Sequence, residues 1–216
     1  TATAQKYSLD SEATTYYIPN KLTNVTITGG KISYGGFYNC GKIKVFTATN
    51  DVQSIGECAF YGCGALTTMS LPFVGYDGQY NYGNTQDVFG FIFGVAEYTG
   101  STSTYQTYAT FFVPTTLTKV YITGRNGIYA NAFQNCNKLT YLSISNDVAY
   151  IAPSALSGCG ALTEIVLPFC GMSLDINYNS SNVAFGVIFG NAEVSEAGEE
   201  IWALLRANYS VIAMYA

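Results

Sequence analysis

The chain repeats its own sequence at an interval of about 96 residues. The stretch 52–66 returns as 148–162, and the phrase Phe-Gly-x-Ile-Phe-Gly at 89–94 returns at 185–190. Self-similarity at a fixed period is typical of solenoids, in which each repeat stacks on its neighbours instead of forming a separate globular core. The repeat therefore predicts one elongated stack of coils, and it directs the search for function to an extended surface.

A shorter unit is visible inside the long one. It reads Leu-x-x-apolar-x-apolar, then a polar turn, then Ile-x-x-x-Ala-Phe-x-x-Cys. The Phe of this phrase, or the residue in its place, marks six coils at spacings of 23, 33, 40, 23 and 33 residues: Phe37, Phe60, Phe93, Phe133, Leu156 and Phe189. We therefore assign three coils to each long unit, with insertions where the spacing is longer.

Each coil begins with a segment that predicts a short β-strand. Its apolar residues alternate at its end, as expected for a strand with one buried face. The predicted strands are 22–27, 43–48, 66–71, 117–122, 139–144 and 162–167. Stacking of the coils would join them into one parallel sheet. The pairs at 50–51 and 146–147 are predicted to turn the chain by bonding to their own backbone.

The Ala-Phe phrases are too short for an independent helix. Each is predicted to form one helical turn on the outer side of the stack, with its Phe in the core. The phrases at 35–40, 55–63 and 151–159 resemble those of the BspA-like leucine-rich-repeat proteins, a family found mostly on bacterial and some protozoan surfaces. The resemblance extends over about 17–190.

This resemblance implies an α/β leucine-rich-repeat solenoid with parallel strands on one face, short helical turns on the other, and insertions in some coils. It also implies an extracellular or cell-surface location, with roles in adhesion, binding of host components and surface display. The family has no shared catalytic residues, so the resemblance assigns no active site.

The predicted domains are a solenoid over 1–190, with long units at about 17–94 and 112–190, and a C-terminal cap over 191–216. In the cap, 195–208 has the pattern of an amphipathic helix, with acids at its start and Arg206 near its end, as the helix dipole favours. A final strand is predicted at 211–214. Residues 1–16 resemble the linker before the second unit and show no cap, which suggests that a longer array or another domain precedes them.

Composition argues against several functions. The net charge is −5 and the basic residues are scattered, whereas nucleic acids and anionic membranes attract clustered Lys and Arg. No apolar run approaches the ~20 residues of a membrane helix. No signal peptide lies in this segment, but because the segment opens on Thr1 without a Met, this gives no indication of location. The chain has no His, the commonest general base. An enzyme acting along a solenoid would need charges clustered on one face, so we predict neither catalysis nor a cofactor.

The cysteines and turn carboxylates favour structural roles. Buried thiols acting as small hydrophobic groups are the preferred interpretation, and Cys170 would fill the apolar slot of Val74. Disulfides between adjacent coils and a metal site are alternatives, although no Cys-x-x-Cys pair occurs. Asp51 and Asp147 occupy equivalent turn positions, which favours a turn role over catalysis.

The tyrosines are the candidate binding residues. They lie in a Gly/Asn-rich insertion, in a Thr/Ser-rich insertion and on two adjacent predicted strands: Tyr76, Tyr80 and Tyr82; Tyr98 and Tyr105; Tyr121 and Tyr141. Tyr among small hydroxyl-bearing residues forms a rigid amphipathic surface, as in antibody loops, and could also stack on sugar rings. We predict recognition of a protein or glycan on a host or neighbouring cell. Packing within the insertions, and a passive stalk that displays another domain, are the alternatives.

Overall fold

The computed structural model describes residues 4–7 (backbone only), 16–80, 84–173 and 184–190. Twelve strands occur within these residues. In chain order they are β1 (Ala4–Tyr7), β2 (Tyr16–Pro19), β3 (Asn24–Ile27), β4 (Gly30–Ile32), β5 (Val45–Ala48), β6 (Val52–Ile55), β7 (Thr68–Leu71), β8 (Ser101–Gln106), β9 (Ala109–Pro114), β10 (Lys119–Ile122), β11 (Tyr141–Ile144) and β12 (Glu164–Val166).

A parallel sheet of six strands runs along one side of the stack. Its order is β3-β5-β7-β10-β11-β12, with one strand from each of the six coils. The register places equivalent residues of the repeat side by side, so that Val120 lies between Met69 and Leu142. All six predicted strands and the parallel solenoid are confirmed.

A second, shorter line of parallel pairing follows the turn after the main strands. β4 pairs with β6, and an isolated parallel bridge joins Ile128 to Ile151. Backbone hydrogen bonds extend this line, because the N–H of Ile55 donates to the carbonyl of Tyr76 at 2.7 Å. The backbone polar groups of one coil are thus satisfied by the next coil on two sides of the solenoid.

The apolar residues of all coils form one continuous core. Phe60 is fully buried, and its ring centroid lies 4.6 Å from that of Phe46 and 5.3 Å from that of Phe37. The rings of Phe89 and Phe133 lie 5.0 Å apart and join the two long units. Edge-to-face and offset ring pairs of this kind stabilise a core beyond the area that they bury. The predicted role of the phrase's Phe as a core residue is confirmed.

The predicted helical turns on the outer side are not confirmed, because the described coils have either non-helical turns or short 3-10 segments there. Two residues in each Ala-Phe turn have left-handed backbone conformations. The first precedes the Ala or Gly, with φ of 55–62° at Gly35, Cys58, Asn131 and Ser154. The second precedes the Cys, with φ of 58–76° at Asn39, Gly62, Asn135 and Gly158. An α-helix requires negative φ throughout, so these segments form tight turns, and the described helices are 3-10 segments at Thr85–Asp87, Phe89–Ile92 and Phe185–Ile188.

The Asn-Asp turns occur as predicted, but their side chains do not act as expected. The N–H of Val52 donates to the carbonyl of Thr49, which closes the first turn with backbone alone. Asn50 instead reaches over the intervening coil: its Nδ2 donates to the Thr123 carbonyl at 3.0 Å, and its Oδ1 accepts from the Thr123 hydroxyl at 2.8 Å. The turn residue of the first unit therefore binds to the second unit.

An antiparallel hairpin precedes the first coil of each long unit. β1 pairs with β2, and β8 pairs with β9. The second hairpin forms most of the Thr/Ser-rich insertion and is held by Gln106, which is fully buried. The Gln106 Oε1 accepts from the N–H of Gly90 at 2.7 Å, and its Nε2 donates to the Gln134 carbonyl at 3.0 Å. A Cβ at Gly90 would lie 2.5 Å from that of Phe111, so the hairpin packs where only glycine leaves room.

Part of the prediction lies outside the described residues. The C-terminal cap over 191–216, with its helix and final strand, and Tyr82 of the first insertion fall there. Both stay predictions.

Candidate binding surfaces

The outward face of the six-stranded sheet carries a tyrosine pair. Alternation along β10 and β11 turns Val120 and Leu142 into the core, so that Tyr121 and Tyr141 lie on the opposite face. Their ring centroids lie 5.1 Å apart with an interplanar angle of 44°. Both side chains are half-buried, since the neighbouring strands cover part of each ring.

Charged residues flank this pair in the same row of the sheet. The register places Lys119 opposite Tyr141 on one side and Glu164 opposite it on the other. In β3, β5 and β7 the corresponding outward positions hold smaller groups: Asn24 and Thr26, Val45 and Thr47, Thr68 and Ser70. We call the outward residues of these six strands the sheet face.

The Gly/Asn-rich insertion contributes two described tyrosines. Tyr76 continues the second line of pairing through its carbonyl, and its ring lies edge-on to Phe91 at 6.2 Å. Tyr80 is 51% exposed, and its ring lies 5.0 Å from that of Tyr129. Tyr80 is therefore better placed than Tyr76 to meet a ligand.

The Thr/Ser-rich insertion separates its tyrosines. Tyr105 is 52% exposed and Tyr108, at the hairpin tip, is 81% exposed. Tyr98 is mostly covered: its ring lies 5.1 Å from Tyr61, and its hydroxyl is buried with no hydrogen-bond partner. Burial foremost, with Cys63 and Tyr61 nearby, raises the pKa of Tyr98. This placement favours the packing alternative for Tyr98.

Two further tyrosines, which are not among the predicted binding residues, lie beside Tyr80. Tyr129 and Tyr150 occur between coils, where no insertion marks them. A Cβ at Gly127 would lie 3.5 Å from the Tyr129 ring and 3.6 Å from the Tyr150 ring, so the two rings face one common point. Each follows the turn after a sheet strand, in two successive coils. This shared position is the sequence feature that could have predicted that they lie close together.

The cysteines are packing groups in four of six cases. Cys40, Cys63, Cys136 and Cys159 are buried, and no disulfide joins any of the six. The Sγ atoms of Cys63 and Cys159 donate to the carbonyls of Phe37 and Phe133, at 3.1 and 3.0 Å. Burial raises the pKa of Cys40 to about 11 and that of Cys159 to about 12, so these thiols stay protonated at neutral pH.

The predicted apolar slot for Cys170 is wrong. Val74, its counterpart in the first unit, is 3% exposed because the next coil covers it, whereas Cys170 is exposed. Cys170 follows β12, the last strand of the sheet, and no described coil lies beyond it. The repeat alignment is correct here, but equivalent positions have different surroundings at the end of the sheet.

Asp51 and Asp147 are exposed at their turns, and no group of three or more described Cys, Asp or Glu residues could hold a metal ion. No described helix is long and apolar enough to span a bilayer.

Comparison with known families identifies the repeat. A family model described as a BspA type leucine rich repeat region matches residues 30–75 and 86–182, in six copies that equal the number of coils. No curated protein and no solved structure matches the chain.

Proposed function

The chain belongs to the BspA-type leucine-rich-repeat family, and we propose that it is a non-enzymatic adhesion protein of a bacterial cell surface. The family suggests a protein-binding or surface role, and a solenoid of this kind is typically a scaffold without catalytic activity. The proposed ligand is a protein on a host or neighbouring cell, bound at the sheet face.

The pair formed by Tyr121 and Tyr141 carries this proposal. Tyr is enriched among the residues that dominate binding energy, because it covers a large area while losing little conformational entropy. The pair lies on rigid, hydrogen-bonded strands, so its geometry is set before a ligand arrives. Lys119 and Glu164 on either side of Tyr141 could select the charge pattern of a partner.

The small hydroxyl-bearing side chains of β3, β5 and β7 support the same interpretation. Because these side chains are short, a ligand could approach the sheet backbone next to the larger Tyr pair. Their hydroxyls could donate hydrogen bonds to it or accept them. The exposed Tyr105 extends the proposed surface into the Thr/Ser-rich insertion.

The test is a surface plasmon resonance screen of residues 1–216 against a panel of immobilised extracellular-matrix proteins. For a binding partner, Tyr121→Ala combined with Tyr141→Ala should weaken affinity by ~30-fold or more, as expected for a hot spot of at least ~2 kcal/mol. Tyr108→Ala, on a distant exposed tip, is the matched control and should leave affinity unchanged.

Two outcomes would overturn the proposal. Unchanged binding by the double variant would remove the Tyr pair from the site. Absence of binding to every panel member would favour the passive stalk, and sequencing the flanking gene for further repeat copies and a displayed domain would then test that alternative.

A further inference from the structure

A polar cleft lies where the carboxyl ends of four sheet strands meet. It encloses about 390 Å³, within the ~300–1,000 Å³ range of small-ligand sites. Its floor consists of buried residues that follow the strands, namely Val52, Pro72, Phe73 and Gly124. Gly124 is required there, because any side chain at this position would collide with the Pro72 carbonyl.

The rim of the cleft carries polar groups that the protein does not use internally. Gln53, Arg125 and Asp147 line the cleft, are exposed, and have side chains without a hydrogen-bond or ion-pair partner among the described residues. Other lining groups are fixed: the Asn126 Nδ2 donates to the Asp77 carbonyl at 2.9 Å, and the Asp77 Oδ1 accepts from the N–H of Gln79. The hydrogen-bonded walls are thus held in place before a ligand arrives, and the rim groups are free to bond to it.

An aromatic cluster follows two segments that line the cleft, although its own residues do not line it. It consists of Tyr80, Tyr129 and Tyr150, and it is joined to the cleft by the short segments that lead from Asp77 to Tyr80 and from Asn126 to Tyr129. Burial foremost, with the nearby charges of Asp87 and Asp77, raises the pKa of Tyr129. Tyr80 and Tyr150 are 51% and 36% exposed, so part of the cluster faces solvent.

We propose that this cleft and the adjoining tyrosines bind a neutral oligosaccharide. A sugar hydroxyl both donates and accepts hydrogen bonds, and the rim offers both, from amides, a guanidinium and carboxylates. The C–H-rich face of a pyranose carries slight positive charge and suits the negative face of a Tyr ring.

Charge separates this ligand class from the alternatives. Asp77 and Asp147 disfavour an anionic ligand such as a phosphorylated or sulfated glycan, while Arg125 disfavours a Lys- or Arg-rich peptide. A neutral, polyhydroxylated chain meets neither repulsion. The proposal rests on the proposed function in one respect, that the chain is a recognition protein, and it uses a different surface.

Isothermal titration calorimetry of residues 1–216 with maltotetraose, cellotetraose, mannotetraose and chitotetraose tests it. At least one should bind, and Tyr80→Ala should weaken that binding at least ~10-fold, in line with a lost aromatic stack of ~1.4 kcal/mol or more. Tyr80→Phe retains the ring and should stay within ~2-fold of the parent, and Asp147→Asn should weaken binding ~3–10-fold. Tyr108→Ala is the exposed control, and far-UV circular dichroism of each variant checks the fold.

The outcomes distinguish this site from the sheet face. Sugar binding that is insensitive to Tyr80→Ala would overturn the proposal that the cleft is the site. Loss of sugar binding in the double variant Tyr121→Ala with Tyr141→Ala would do the same. Absence of binding to all four sugars, or capture of an oligolysine peptide that Asp147→Asn abolishes, also overturns it. Sugar binding that persists when no matrix protein binds supports the cleft and rejects the sheet-face proposal alone.

Discussion

The two long units have the same interior and different exteriors. In β3, β5 and β7 the inward residues are Val25, Phe46 and Met69, and in β10, β11 and β12 they are Val120, Leu142 and Ile165. One position further along, the outward residues are Thr26, Thr47 and Ser70 in the first unit, but Tyr121, Ser143 and Val166 in the second. Stacking constrains the inward row, because each coil must seal the apolar edge of the next. The outward row contacts solvent, so its side chains could diverge toward binding.

The largest expected effect is the loss of stability when the core residue is truncated in two equivalent coils, one from each long unit. Phe60→Ala should lower the free energy of unfolding by ~3–5 kcal/mol and Leu156→Ala by ~2–5 kcal/mol, because both side chains are fully buried. Urea unfolding followed by circular dichroism measures both. Thr47→Ala on the sheet face is the control, with an expected change of ~0.5 kcal/mol or less. If either core variant changed stability as little as the control, the shared interior would not be what holds the units together.

Gln106 tests the hairpin that precedes the second unit. Gln106→Ala leaves the buried N–H of Gly90 without its acceptor, so stability should fall by ~2–4 kcal/mol. Urea unfolding is again the measurement, and limited proteolysis should cut first between β8 and β9. Tyr105→Ala, the exposed neighbour on the same strand, should change stability by less than ~0.5 kcal/mol. Equal effects of the two changes would mean that the hairpin is not anchored by Gln106.

The turn asparagines give a smaller and sharper contrast between the units. Asn50→Ala removes two hydrogen bonds to Thr123 and should cost ~1–2 kcal/mol. Asn146→Ala, at the equivalent exposed turn and without such a bond to the described residues, should cost less than ~0.5 kcal/mol. A double-mutant cycle of Asn50→Ala with Thr123→Val isolates the bond between the two side chains, and a coupling near zero would contradict that bond. An Asn50→Ala variant as stable as the parent would contradict a link between the units.

The smallest effect concerns the thiols. Iodoacetamide at pH 8 should modify the exposed Cys170 first and leave Cys40 and Cys159 unmodified, as mass spectrometry would show. The contribution of these thiols to stability should be constant below pH 9, the ordinary thiol value, because the buried thiols are then protonated in both states. It should fall as the pH rises toward 11–12, since the unfolded chain loses these protons first. Rapid labelling of Cys40 in the native protein would contradict its burial.

Much of the solenoid could be predicted from local pattern. The six strands follow from apolar residues that recur at the same place in each coil, and Phe60 or Phe133 could be recognised as a core residue because its phrase repeats. The outer turns could not, because left-handed φ at Cys58, Asn131 and Ser154 is rare for such residues and is imposed by the backbone bonds between coils. The single helical turn predicted for each phrase is therefore not confirmed.

Of the two candidate sites, one could be predicted from the sequence and the other could not. The pairing of Tyr121 with Tyr141 could be expected, since strand alternation places both on one face. The cluster of Tyr80 with Tyr129 and Tyr150 could not, because residues from three coils meet there only after the stack has formed.

By itself, the sequence determined the coil, its period, its core residues and the parallel sheet, because each depends on periodic apolar burial that neighbouring repeats reinforce. Only the tertiary structure decided the long-range contacts: Asn50 with Thr123, Gln106 beneath the hairpin, and Gln53, Arg125 and Asp147 around one cleft. These contacts occur once, between residues far apart in the chain. A repeated sequence pattern predicts only the features that every coil shares, so it cannot predict contacts that occur once.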